Sequence, residues 1–212
     1  MAVPKTIYLY RMVHWENISH ILTHGLCCFN HKSVDPNYIN IGHQQLIADR
    51  HNHQIPLNEK GTLGEYIPFY FAGHSPMLYL IMNGYANVVR RSQIDIVYIV
   101  IDFKSVVNNG LDYVFTDRNA KIAVANYYES EHDFNKLNWN TIKSKNWKNT
   151  EDDYEKEDLK QAEFLIRNHI PISCIHALVV KTPERKTYFD GLIAENELEI
   201  EVHVDNKCKL YY

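Results

Sequence analysis

The sequence has no apolar run long enough to span a bilayer and no signal-peptide pattern, since Met1 to Lys5 leads straight into a strand-like segment. It has only four cysteines, Cys27, Cys28, Cys174 and Cys208, and their spacing fits no disulfide framework, so reduced thiols in a cytoplasmic protein are expected. Excess positive charge is also missing. A net charge of −4 excludes a general-purpose nucleic-acid coat but leaves room for a local basic patch. No G-x-S-x-G elbow, Walker loop or G-x-G-x-x-G occurs, so a nucleotide would have to be held without the usual phosphate cradles. Twelve histidines invite a metal, yet the spacings of His20, His24, Cys27, Cys28 and His31 match no zinc site. Scattered structural and surface histidines account for them, and no metal is expected.

What is present reads as one mixed domain over 1–212. "TIYLYRMV" is a strand by its β-branched and aromatic content, and "WENISHILTHGL" then takes a helical period that Gly25 terminates. "HQQLIADRH" is a short helix between polar loops, and "YIPFYFA" a short strand. "HSPMLYLIMNG" is a punctuated helix: Ser75 caps it, Pro76 occupies its first position and Gly84 closes it. "DIVYIVIDF" is a buried strand, "LDYVFTDRNA" a strand and turn, and "QAEFLIR", "SCIHALVV" and "LEIEVHV" are late strands with a helix at "YFDGLIA". Strands and helices mix without strict alternation, so the fold class is α+β with antiparallel or mixed sheets. There is no internal repeat and no Gly/Ser- or Pro-rich linker; the polar segment 129–160 reads as an insertion loop.

Four features carry possible chemistry. Glu163 interrupts an apolar strand, on the face it shares with Gln161, where a carboxylate must be paired, hydrogen-bonded or used unless it lies on an exposed edge. Arg50, at the end of a short helix, either complements the helix dipole or clamps a pyrophosphate in bidentate fashion. The helix start at Ser75–Pro76–Met77 suits an anion, or is simply well capped. In "KLNWNTIKSKNWKN", Lys136, Lys143, Lys145 and Lys148 interleave with Trp139 and Trp147. Such a pattern grips a single strand through phosphate contacts and base stacking, or marks a charged surface excursion.

In order, "YLYRMVHWENISHILTHGL", "DPNYINIG", "LIADR", "YIPFYFAGHSPMLYLI", "IVYIVIDF", "VFTDRNA", "LNWNTI" and "KQAEFLI" resemble the DarT family, toxins that ADP-ribosylate single-stranded DNA using NAD. The resemblance runs from about residue 7 to about residue 205. It implies an ADP-ribosyltransferase-like fold, split β-sheets around an NAD cleft. It also implies Glu163 and Arg50 as catalytic residues, with His14, Asn17, Gly42, Tyr70, Ser75, Met77 and Arg50 around NAD. Trp139, Lys143, Lys145, Trp147 and Lys148 would present the DNA. Two positions depart from the pattern: Asn119 and Arg11 stand where relatives can carry His. The implied activity is transfer of ADP-ribose from NAD to a base, thymine favoured, with release of nicotinamide and no metal. The alternatives are the same chemistry on guanine, RNA or protein, or a silent NAD- or nucleic-acid-binding module. A monomer paired with the macrodomain antitoxin DarG, away from membranes, completes the expectation.

Overall fold

The first strand sets the frame for everything that follows. In the computed structural model, which describes residues 2–212, β1 (Tyr8–His14) is followed by a 3-10 turn and α1 (Ile18–His24). Gly25, at φ 77°, ends α1 in a conformation that other residues resist. Next come β2 (Leu26–Cys27), a long loop, α2 (Gln44–Arg50), β3 (Tyr66–Tyr70) and α3 (Pro76–Asn83). Ser75 accepts from the Leu78 amide and Gly84 closes α3 in the left-handed region, as the sequence predicts. The chain continues through β4 (Ile96–Asp102), α4 (Phe103–Asn108), β5 (Tyr113–Thr116), β6 (Tyr127–Tyr128), α5 (Trp139–Lys143) and α6 (Lys156–Lys160). It ends with β7 (Glu163–Arg167), β8 (His169–Ile170), β9 (Ala177–Val180), α7 (Pro183–Glu195) and β10 (Glu201–Val204).

The main sheet runs β10-β9-β4-β1-β3-β7-β5-β6 and is mixed, with β10 parallel to β9 and its other pairs antiparallel; β2 and β8 pair separately. It is two half-sheets joined at a seam. β1 pairs with β4 along its whole length, and β3 pairs with β7 from Tyr66 opposite Arg167 to Tyr70 opposite Glu163. Between β1 and β3 only Tyr10 and Tyr70 are paired. Pro68 explains the split: it has no N–H to give. Its carbonyl, aimed at β1, instead accepts from Arg11 Nη1 at 2.9 Å.

The larger core lies on one face, where Leu9, Val13, Phe69, Phe164 and Ile166 pack with α1, α4 and α7. A second cluster under α3 joins Met12, Leu78, Ile81 and Tyr98 to the C-terminal Leu210 and Tyr211. Segment 129–160 is less irregular than expected, holding a 3-10 turn, α5 and α6. Its indoles point inward, which corrects their reading as an exposed stacking platform. Trp139 is 2 % exposed, meets Phe71 edge-on at 5.4 Å and donates to the Phe134 carbonyl at 2.8 Å. Trp147 is buried against Tyr79 and donates to the Tyr212 hydroxyl. The segment has few aliphatic side chains, so aromatic rings are what moors it to the body. Lys143, Lys145 and Lys148 remain exposed.

Candidate active site

β7 lies between β3 and β5, so Glu163 is not on an edge. Its carboxylate is 3 % exposed and both oxygens accept hydrogen bonds, Oε2 only one. Arg50 Nη1 donates to Oε1 at 3.1 Å and Nη2 to Oε2 at 2.8 Å, a bidentate pair. The Ala120 amide donates to Oε1 at 3.0 Å. The Glu163 amide donates to Thr116 Oγ1 at 3.3 Å, and that hydroxyl donates to the Arg118 carbonyl at 2.6 Å. The turn 117–121 is thus locked onto the carboxylate. Asn119 supports it, accepting from the Lys121 amide and donating to Gln161 Oε1, while the Tyr127 hydroxyl donates to the Ala120 carbonyl.

Arg50 reaches Glu163 from the last turn of α2. That helix buries none of its residues, so polar contacts hold it in place. Burial opposes the charge of Arg50, but Glu163 outweighs it and raises the guanidinium pKa. Burial, reinforced by the Glu163 charge, pushes the Tyr127 hydroxyl up to about 12 and the Tyr70 hydroxyl higher still. Both phenols stay neutral around the pair.

Two adjoining cavities, about 190 Å³ and about 460 Å³, follow the seam. Both are walled by Arg11, Tyr38, Asn40, Ile47, Arg50 and Pro68, and the smaller has Glu163 on its wall. Such a trough is of nucleotide-binding size. Arg11 is the other permanent cation on it: besides Pro68, its Nη2 meets the Tyr38 hydroxyl at 3.5 Å, while its buried Nε has no partner.

Of the residues singled out in the sequence, Glu163, Arg50, Gly42, Tyr70 and Met77 meet at the smaller cavity. Three of those expected around NAD do not line it. His14 is buried and uses Nδ1 to accept from the Glu16 amide; burial, then Arg91, lowers its pKa. Asn17 is buried and clasps the backbone of Ile39, accepting at 2.9 Å and donating at 3.0 Å. Ser75 is 1 % exposed and spent on capping α3. The lysines of 143–148 lie outside the trough. Sequence reasoning missed Tyr38, Thr116 and the Ala120 amide; only "TDRNA" hinted at the last two. Among the described residues no group of three or more His, Cys, Asp or Glu is arranged to hold a metal ion.

Comparison with known proteins gives a consistent result. A family model described as DarT, ssDNA thymidine ADP-ribosyltransferase, matches residues 10–212. A DNA ADP-ribosyl transferase of Escherichia coli O127:H6 (strain E2348/69 / EPEC) is 34 % identical over 200 residues, 94 % of this chain and 92 % of the relative. One from Thermus sp. (strain 2.9) is 30 % identical, covering 84 % and 82 %. Among solved structures, Thermus sp. 2.9 DarT in complex with ADP-ribosylated ssDNA superposes with a TM-score of 0.90 at 26 % identity, covering 100 % of this chain and 99 % of that one. The same protein in complex with NAD+ gives 0.85 at 25 % identity, covering 100 % of both chains.

Proposed function

The chain belongs to the DarT family of ADP-ribosyltransferases, and we propose from that premise that it transfers ADP-ribose from NAD to thymine in single-stranded DNA. The observation that carries the reading is Glu163: a buried carboxylate, held by Arg50 and the Ala120 amide, on the wall of a cavity that opens along the seam. Burying a carboxylate is costly, and a module that only binds has no use for one there.

NAD lies along the seam with its nicotinamide ribose at Glu163. The bond from the sugar to the nicotinamide nitrogen breaks with both electrons leaving on nicotinamide, and positive charge develops on the sugar. The Glu163 carboxylate stabilises that charge and orients the sugar hydroxyl. A thymine ring nitrogen then bonds to the anomeric carbon, and its proton passes to Glu163 and on to solvent. Arg50 is already committed to Glu163 by two hydrogen bonds, so its part is to fix and charge that carboxylate. Arg11, on the wall of the same trough, faces the diphosphate in its place. Gly42, Tyr70 and Met77 shape the sugar and nicotinamide end.

The relatives' substrates support this assignment, since a Thermus DarT is held with NAD+ and with ADP-ribosylated ssDNA. The biological reading follows the family: a toxin, acting in the cytoplasm as a monomer and countered by a macrodomain antitoxin. No helix among the described residues is long and apolar enough to cross a membrane. The test is to incubate the protein with NAD and matched single-stranded, duplex and RNA oligonucleotides, then locate any added ADP-ribose by mass spectrometry. An adduct on thymine of the single strand, lost in Glu163→Gln, is expected. An adduct confined to RNA, protein or guanine would reassign the substrate; no adduct on any of them would remove the enzyme reading.

A further inference from the structure

On the face that carries Glu163, the register continues past the seam. Glu163 lies opposite Tyr70, Tyr70 opposite Tyr10, Tyr10 opposite Val100 and Val100 opposite Ala177. Residues directly opposite one another share a face, so one row of side chains crosses from the carboxylate to β9. The row ends in another open cavity, about 460 Å³, walled by Tyr8, Tyr10, His176, Lys207, Lys209 and Leu210. At strand spacings of ~4.8 Å its floor begins ~10 Å from Glu163, a distance of a few nucleotides.

The walls combine exposed rings with unpaired cations. Tyr8 is 39 % exposed and its ring lies 5.7 Å from that of His176, also exposed. Lys207 and Lys209 are exposed, and Lys145 donates to the Cys208 carbonyl between them at 2.7 Å. The basic segment 143–148 is therefore tied to the same tail. None of these three lysines forms an ion pair among the described residues. Asp205 shares this cavity wall, and it and the neighbouring acids are engaged by backbone amides or by His203. Asp205 accepts from the amides of Lys209, Leu210 and Tyr211, Asp102 from that of Ser105, and Glu201 pairs with His203 at 2.9 Å.

We propose that this patch is a track for the single-stranded DNA that flanks the reacting thymine. Lys145, Lys207 and Lys209 take phosphates, and Tyr8 and His176 offer ring faces to bases, the combination that binds single strands with little sequence preference. Charge complementarity and continuity with the Glu163 row select this occupant. The inference rests on the function proposed above and adds a second contact region to it.

The test compares oligonucleotides with one thymine and flanks of two or ten nucleotides, using wild type, Lys207→Ala/Lys209→Ala and Tyr8→Ala. All three positions are exposed, so the fold should survive, and NAD hydrolysis without DNA is measured as the control. For the long oligonucleotide we expect KM to rise about tenfold in the double variant, with kcat and the NAD KM unchanged. The slope of log affinity against log salt should shrink by about 1.4, two phosphate contacts at ~0.7 each. The short oligonucleotide should not distinguish the proteins. Equal KM and equal salt slope for wild type and variants on the long oligonucleotide would overturn the track while leaving the enzyme reading intact. A wild type that modifies neither length would remove both.

Discussion

At the scale of single residues, the Arg50–Glu163 pair is asymmetric, and two variants expose this. Glu163 is 3 % exposed whereas the Arg50 side chain is 17 % exposed. Removing Arg50 strands a buried carboxylate; removing Glu163 leaves a cation with access to water. Arg50→Ala should therefore cost about 3 kcal/mol of stability, and Glu163→Gln about 1 kcal/mol, although Glu163→Gln loses at least a hundredfold in transfer rate. Thermal unfolding beside initial rates checks both; equal destabilisation would contradict the asymmetry. Glu163 was legible in the sequence because a lone acid in an apolar strand demands a reason. The Ala120 amide was not, because a backbone donor has no letter of its own.

Lys160 is a buried cation, 4 % exposed, whose Nζ donates to the carbonyls of Ile142 and Ser144 and has no acid partner among the described residues. Burial lowers its pKa from 10.5 to about 8. The penalty for keeping the ammonium buried is therefore complete below pH 8 and disappears as pH approaches 10.5, because in that window the unfolded chain holds a proton that the folded chain has released. Relative to Lys160→Met, the wild type should gain up to about 3 kcal/mol across this window. Paired denaturant titrations at pH 7.5 and 10 measure the difference; a difference that stays constant would refute it.

At the scale of elements, caps and periodicity made the long pieces legible. Ser75, Pro76 and Gly84 bracket α3, and the unbroken apolar run of β4 marks a strand buried on both faces. The two-residue strands β2, β6 and β8 escaped because two positions display no period. The Trp/Lys segment misled for a related reason, since alternation of type does not reveal which way a ring points. The loop 28–42 and α2 form the outer wall of the trough, held by Asn17 on Ile39, Tyr38 on Arg11 and Arg50 on Glu163. With no buried residue of its own, α2 has little else to keep it closed. Asn17→Ala removes two of these hydrogen bonds and should cost about 2 kcal/mol, raising the NAD KM severalfold with kcat nearly unchanged. Steady-state kinetics decide, and an unchanged KM would mean the wall does not depend on this clasp.

At the scale of the whole molecule, the functional shape is the seam, and a single residue maintains it. The half-sheets are continuous through β1–β4 and β3–β7 and meet only at Tyr10 and Tyr70. Continued, the register would place Arg11 opposite Phe69 and then Met12 opposite Pro68, where β3 has no N–H to offer. Pro68→Ala supplies that donor, so pairing can extend beyond Tyr10 and draw the half-sheets together. The new hydrogen bond would favour folding by about 1 kcal/mol, partly offset by the freer unfolded backbone that loss of Pro allows. The melting temperature should then stay level or rise while the trough narrows, and NAD affinity should fall about tenfold. Titration calorimetry with NAD alongside thermal unfolding separates these effects. A variant that keeps full NAD affinity would show that the seam stays open for reasons other than the missing amide, and a variant that unfolds earlier would show that Pro68 serves stability first.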